Sequence, residues 1–91
     1  MLTSGRFSPT RAEVRRRHRL MRRMMRAAGV EAETVANVDG GLAFFEARAK
    51  CSYCLHEDAC RVWLASAEGV QVPPDFCPNA RFFQSCRRID R

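Results

Sequence analysis

Five cysteines constrain the fold of this chain more than any other feature. Four follow the spacing Cys51-x2-Cys54-x5-Cys60-x16-Cys77, and Cys86 comes after eight further residues. A chain of 91 residues buries too little surface for a large core, so a bound metal would add much to its stability. No apolar leader precedes the cysteines. We therefore expect a cytoplasmic protein, where thiols serve as metal ligands or redox groups rather than as disulfides.

The first helix is predicted over residues 10–28. Thr10 and Glu13 have the spacing of a capping box, in which each side chain bonds the other residue's backbone amide. Apolar residues then recur near helical spacing, and Gly29 is a natural residue to follow a helix end.

The chain as a whole predicts an all-α domain of three or four helices. No stretch alternates with period two over a useful length, so no strand is expected. The predicted division is a disordered tail over 1–9 and a single helical domain over 10–91, in which the cysteine-containing helices occupy 41–87. The second helix is predicted over about 41–50, with Leu42, Phe45 and Ala49 on one face. The third is predicted from Glu57 or Asp58 to Gly69, and the fourth begins at Pro78.

Two of the cysteines are predicted at helix starts. Cys60 falls in the first turn of the third helix, and Cys77 takes the N-cap position before Pro78. The free amides and partial positive charge at a helix N-terminus favour thiolate over thiol. We therefore expect both helix starts to point at a shared site.

Geometry separates Cys86 from the other cysteines. If residues 78–87 form one helix, Cys86 lies about 13 Å along its axis from Cys77, at 1.5 Å per residue. Sulfurs on one zinc ion are under about 4 Å apart. The predicted metal ligands are therefore Cys51, Cys54, Cys60 and Cys77, and Cys86 is interpreted as a buried helix residue.

An iron–sulfur cluster is the first interpretation of these ligands, and zinc is the second. A C-x2-C pair with a distant Cys-Pro is similar to bacterial ferredoxin ligation, whereas structural zinc sites often pair two short-spaced motifs. Two metal-free interpretations are a dithiol redox pair and cysteines that are simply buried. His56 could replace a zinc ligand but fits a surface loop better. Aromatic residues near the cysteines could form the core and shield a cluster, namely Tyr53, Trp63, Phe76, Phe82 and Phe83.

Positive charge is concentrated in the first helix. Residues 1–28 hold nine arginines and one acidic residue, whereas residues 29–91 hold seven basic and nine acidic residues. The arginine-rich helix could contact nucleic-acid phosphates, or an anionic membrane surface into which its methionine stripe inserts. It could also contact a protein partner or be a solvated face. It also resembles the composition of a transit peptide. The candidate phosphate contacts are Arg15, Arg16, Arg19, Arg22, Arg23 and Arg26.

No arrangement typical of an enzyme is present. The sequence shows no Ser/His/Asp set, no paired acids in a definable site and no phosphate-binding loop. No apolar run reaches the roughly 18 residues that span a bilayer. We therefore expect a non-catalytic, non-transmembrane protein.

Several of these motifs together resemble a family of short bacterial proteins of unknown function. The resemblance covers residues 20–83 and depends on Leu20-Met21-Arg22-Arg23-Met24-Met25, on Gly29-Val30, on the Cys-x2-Cys-x5-Cys run with Trp63-Leu64, and on Pro74-Asp75-Phe76-Cys77-Pro78-Asn79-Ala80. It implies that the same four cysteines form the shared set and that Cys86 lies outside it. The resemblance implies no activity.

Overall fold

The computed structural model describes residues 8–90 of the chain, with side chains over 8–87. It confirms an all-α fold, with four longer helices and one short one. No helix within the described range is long and apolar enough to cross a membrane. Residues 1–7 of the predicted tail, and residue 91, lie outside this range. The elements are α1 (Arg11–Ala27), α2 (Ala32–Asn37), a 3-10 helix (Val38–Gly41), α3 (Leu42–Ser52), α4 (Glu57–Ser66) and α5 (Ala80–Asp90).

The ends of α1 follow from local sequence, as predicted. The Glu13 amide donates to Thr10 Oγ1 at 3.1 Å, and the Thr10 amide donates to Glu13 Oε1 at 2.8 Å. At the other end Gly29 has a positive φ of 76°. Its amide donates to the Arg26 carbonyl and the Val30 amide to the Met25 carbonyl, which is the Schellman pattern.

α1 is the central element of the core. One side of the helix is buried, and it packs against α3 and α4, while α2 packs against α5. Burial of these side chains supplies most of the stability that a small helical domain can gain, at roughly 25 cal/mol per Å² of apolar surface. The core residues are Leu20, Met21, Met24, Met25, Ala28, Val30, Val35, Ala47, Leu64, Phe83 and Cys86.

The buried face of α3 differs from the predicted one. Leu42 and Phe45 are exposed, Phe45 to 70%, whereas Phe44, Ala47 and Cys51 pack against the core. Apolar residues occur on both sides of this helix, so periodicity alone could not select the face. The helix also continues to Ser52, which places Cys51 in its last turn rather than in the predicted turn.

The last two helices have other bounds than predicted. α4 ends at Ser66, because Ala67 is already extended at φ −74° and ψ 137°. α5 begins at Ala80, two residues after Pro78. The Asn79 carbonyl accepts the first α-helical bond, from the Phe83 amide. Asn79 therefore takes the cap position that the sequence pattern predicts for Cys77.

Candidate metal centre

The four predicted ligands line one cavity. Cys51 comes from the last turn of α3, Cys54 from the following loop, Cys60 from the first turn of α4, and Cys77 from the turn before α5. The cavity has a volume of about 30 Å³. Cys86 is fully buried on α5 and does not line it. The fold thus gathers four thiols from four separate segments.

The remaining wall of the cavity is largely apolar. α1 contributes Leu20, Met21 and Met24, and the C-terminal segment contributes Phe76 and Phe83. An apolar wall limits water access and lowers the local dielectric, which influences the potential of any metal bound there. Two of the five predicted aromatic residues thus shield the cavity. Tyr53 does not, since it is 61% exposed, and Trp63 and Phe82 pack on the core instead.

Three of the four sulfurs accept N–H hydrogen bonds. Asn79 Nδ2 donates to Cys51 Sγ at 3.3 Å, and the His56 amide donates to Cys54 Sγ at 3.3 Å. The backbone N–H of Asn79 donates to the sulfur of Cys77. Such bonds orient thiolate ligands and tune the potentials of iron–sulfur centres. His56 contributes its backbone here, and its exposed ring lies tilted against the ring of Phe76, with 5.8 Å between the two centroids.

Asn79 is the residue of this site that sequence reasoning missed. Its side chain is 1% exposed, and its Nδ2 also donates to the Ala47 carbonyl at 3.0 Å. Its Oδ1 is buried without a partner among the described residues. Its place directly after Cys77-Pro78 was the one available signal, because a polar residue beside a ligand commonly supports it.

Burial raises the pKa of three of the thiols. The pKa of Cys51 rises to about 12 and that of Cys60 to about 11, and the pKa of Cys77 also rises. The second cause for Cys51 and Cys60 is the charge of Cys77. The hydrogen bond from the backbone N–H of Asn79 lowers the pKa of Cys77, but burial raises it by more. Burial therefore favours the protonated thiols in the protein without a cation, and a bound cation would reverse this balance.

An ion-pair cluster fixes α1 against the loop that carries Cys54. Arg16 Nε donates to Glu57 Oε2 at 2.6 Å, and Arg17 Nε donates to Glu57 Oε1 at 3.0 Å. Arg17 also donates to the Ser52 carbonyl and lines the cavity. The hydrogen bond from Arg16, and then that from Arg17, hold the pKa of Glu57 below its usual value. Both ends of the loop between α3 and α4 are thus tied to α1.

The cavity is not a closed coordination sphere. Among the described residues, no group of three or more Cys, His, Asp or Glu side chains is positioned to hold a metal ion. The four thiols instead line the cavity together with apolar side chains.

The candidate phosphate-binding arginines are divided by the fold. All six are exposed, but Arg16 pairs with Glu57 whereas the other five form no ion pair with a described residue. Met21, Met24 and Met25 are at most 3% exposed. The methionine stripe is thus part of the core, and no inserted apolar face is left for a membrane-surface interaction of α1.

Comparison with known proteins gives a family but no activity. No curated protein and no solved structure matches the chain. A family model, described as a family of unknown function (DUF6455), matches residues 8–89. That range includes every cysteine, the arginines of α1 and all the helices except the last residue of α5. The chain is a member of this family of unknown function.

Proposed function

We propose that the protein holds an iron–sulfur cluster on Cys51, Cys54, Cys60 and Cys77. The observation that carries this proposal is the convergence of these four thiols on one apolar-walled cavity. Four thiolates are the usual protein ligands of such clusters. The N–H donors to Cys51, Cys54 and Cys77 support it further, because sulfurs that carry charge need them.

The proposed role is electron transfer, or sensing of redox state or iron, in the cytoplasm, and not catalysis. When bound, the cluster would supply a one-electron couple. The residues of this chain would hold it through four thiolates, exclude water through Met21, Met24 and Phe83, and donate hydrogen bonds through Asn79 and the His56 amide. This role requires a protein partner that gives or receives the electron.

The second candidate is a structural zinc centre in an interaction or regulatory module. The same four thiols would bind the ion, and the raised pKa values would then describe only the metal-free protein. The spacing supports zinc less well, since it contains one C-x2-C pair rather than two.

Anaerobic purification separates the two proposals. A cluster predicts broad absorbance near about 400 nm that is lost on oxidation, with iron and acid-labile sulfide in the protein. Zinc without this absorbance would refute the cluster and support the zinc centre. If neither metal copurifies, and neither iron with sulfide nor zinc binds on reconstitution, both proposals are wrong.

Single-cysteine variants provide the matched control. Cys54→Ala and Cys60→Ala should lose the bound metal, while Cys86→Ala should keep it, because Cys86 does not line the cavity. Equal metal content in all three variants would contradict the assignment of ligands.

A further inference from the structure

The outward face of α1 consists of arginines. Successive residues of a helix are separated by about 100°, so one arc of about 120° on α1 contains seven residues, all of them exposed. Leu20 and Met24 lie on the opposite side, in the core. One of the seven is Ala12, and the other six, here called the outer arginine face, are Arg11, Arg15, Arg19, Arg22, Arg23 and Arg26.

The charge of this face is not neutralised by the described part of the protein. The ion pairs formed within it involve Arg16, Arg17 and Arg61, with Glu57 and Asp58 as their partners. None of the outer arginines forms an ion pair with a described residue. A solvated helix face commonly mixes both signs of charge. Here six positive charges extend over about 22 Å of helix, at 1.5 Å per residue, with no acid among them.

The chemistry of the face selects one class of partner. Protein interfaces are built around an apolar or aromatic centre, and this face offers only Ala12 besides its arginines. Membrane insertion would need the methionines, which are buried. Single-stranded nucleic acid would need aromatic stacking platforms, and the arc contains none. The phosphate backbone of a duplex needs none of these, and the planar guanidinium group suits phosphate oxygens.

We infer that the outer arginine face binds the phosphate backbone of duplex nucleic acid. The contact would be electrostatic and would not depend on base sequence, because the phosphates carry no sequence information. Duplex DNA and duplex RNA present the same phosphate chemistry. The inference does not depend on the metal centre.

The affinity should depend steeply on salt. If four to six phosphates are neutralised, the slope of log K against log salt is about −4 to −5. The affinity should then fall by about 10²–10³-fold between 50 mM and 200 mM salt. Fluorescence anisotropy of the full protein with labelled duplexes of about 20 base pairs, one of DNA and one of RNA, measures this directly.

Two variants of equal charge locate the contact. Arg15→Gln/Arg19→Gln/Arg22→Gln removes three charges from the face. Lys50→Gln/Arg61→Gln/Arg81→Gln removes three exposed charges from α3, α4 and α5. The first variant should reduce the magnitude of the salt slope by about 3 and the affinity at 50 mM salt by at least about 10²-fold, while the second should change both only slightly.

A lysine variant and an acidic peptide complete the test. Arg15→Lys/Arg19→Lys/Arg22→Lys keeps the charges and should retain most of the binding, which shows that loss in the glutamine variant reflects charge and not folding. The inference is overturned if the wild-type protein shows no salt-dependent binding to either duplex. It is also overturned if both glutamine variants lose affinity alike, or if polyglutamate binds as tightly as the duplexes, since the face would then be a general anion surface or an acidic-protein site.

Discussion

Two substitutions of Asn79 should have very different costs although both keep four heavy atoms in the side chain. Its Nδ2 donates to the Ala47 carbonyl and to Cys51 Sγ, and its Oδ1 has no partner among the described residues. In Asn79→Leu, the Ala47 carbonyl loses its side-chain donor, which destabilises the protein by about 1–3 kcal/mol. The substitution also removes the unpaired Oδ1, which stabilises the protein by a similar amount. The net cost is the hydrogen bond itself, about 1 kcal/mol.

Asn79→Asp should be much less stable. The substitution replaces the Nδ2 donor with a carboxylate oxygen that faces the Ala47 carbonyl, at a position that is 1% exposed. An unpaired charge in such a site costs about 3–5 kcal/mol. The difference between the two variants is therefore about 2–4 kcal/mol, a large part of the 5–15 kcal/mol that stabilises a typical domain.

Urea denaturation at neutral pH measures this difference. Unfolding is followed by far-ultraviolet circular dichroism on protein of matched metal content. With a slope of about 1–3 kcal/mol per molar urea, the midpoint of Asn79→Asp should lie about 1 M or more below that of Asn79→Leu. Equal midpoints, or a less stable leucine variant, would show that the bonds from Nδ2 do not support the site as described.

Three further predictions address the metal ligands, the ion-pair cluster and the end of α1. Cys60→Ala should lower the thermal midpoint far more than Cys86→Ala, because a thiolate-bound metal contributes roughly 10–16 kcal/mol; similar midpoints by calorimetry would remove the structural role of the metal. The arginine partners of Glu57 lower the folded-state pKa of its carboxylate. The stability that this carboxylate contributes is therefore present above its unfolded-state pKa and is lost as pH falls through the folded-state pKa. The urea midpoint of the wild type should therefore fall more steeply below about pH 5 than that of Glu57→Gln, and parallel curves would contradict this. Gly29→Ala should lower the thermal midpoint more than Gly69→Ala. Both glycines have positive φ, but a Cβ at Gly29 would lie 2.9 Å from a methyl group of Val70, whereas a Cβ at Gly69 would meet open space. The shared backbone strain is about 1–2 kcal/mol, and thermal midpoints that coincide would show that the contact is relieved without cost.

Features encoded over a few residues were predictable from the sequence. The capping box of α1 and the glycine that follows the helix depend on bonds between residues at most five positions apart, so the pattern determines the geometry. The proximity of Cys51 and Cys54 is local in the same way. An all-α fold follows from a sequence with helical periodicity and no alternating stretch.

Features that depend on packing were not predictable. The face that α3 buries is decided by its contact with α1, and apolar residues on both sides of α3 leave the choice open in the sequence. The start of α5 moved to Ala80 because Asn79, not Cys77, accepts the first helical bond. The role of Asn79 itself depends on Ala47, 32 residues away, and no local pattern contains that information.

α1 carries the core methionines and the outer arginines at opposite angles of one helix, so its length is fixed in units of whole turns. One extra residue after Arg17 would rotate the following part of the helix by about 100°. Arg19 and Arg23 would then turn to the core positions of Leu20 and Met24, and Met21 and Met25 would turn to the outer face. Seven extra residues would rotate it by only about 20° and would preserve both faces. Natural or engineered changes in the length of this helix should therefore be tolerated in steps of seven residues and not of one.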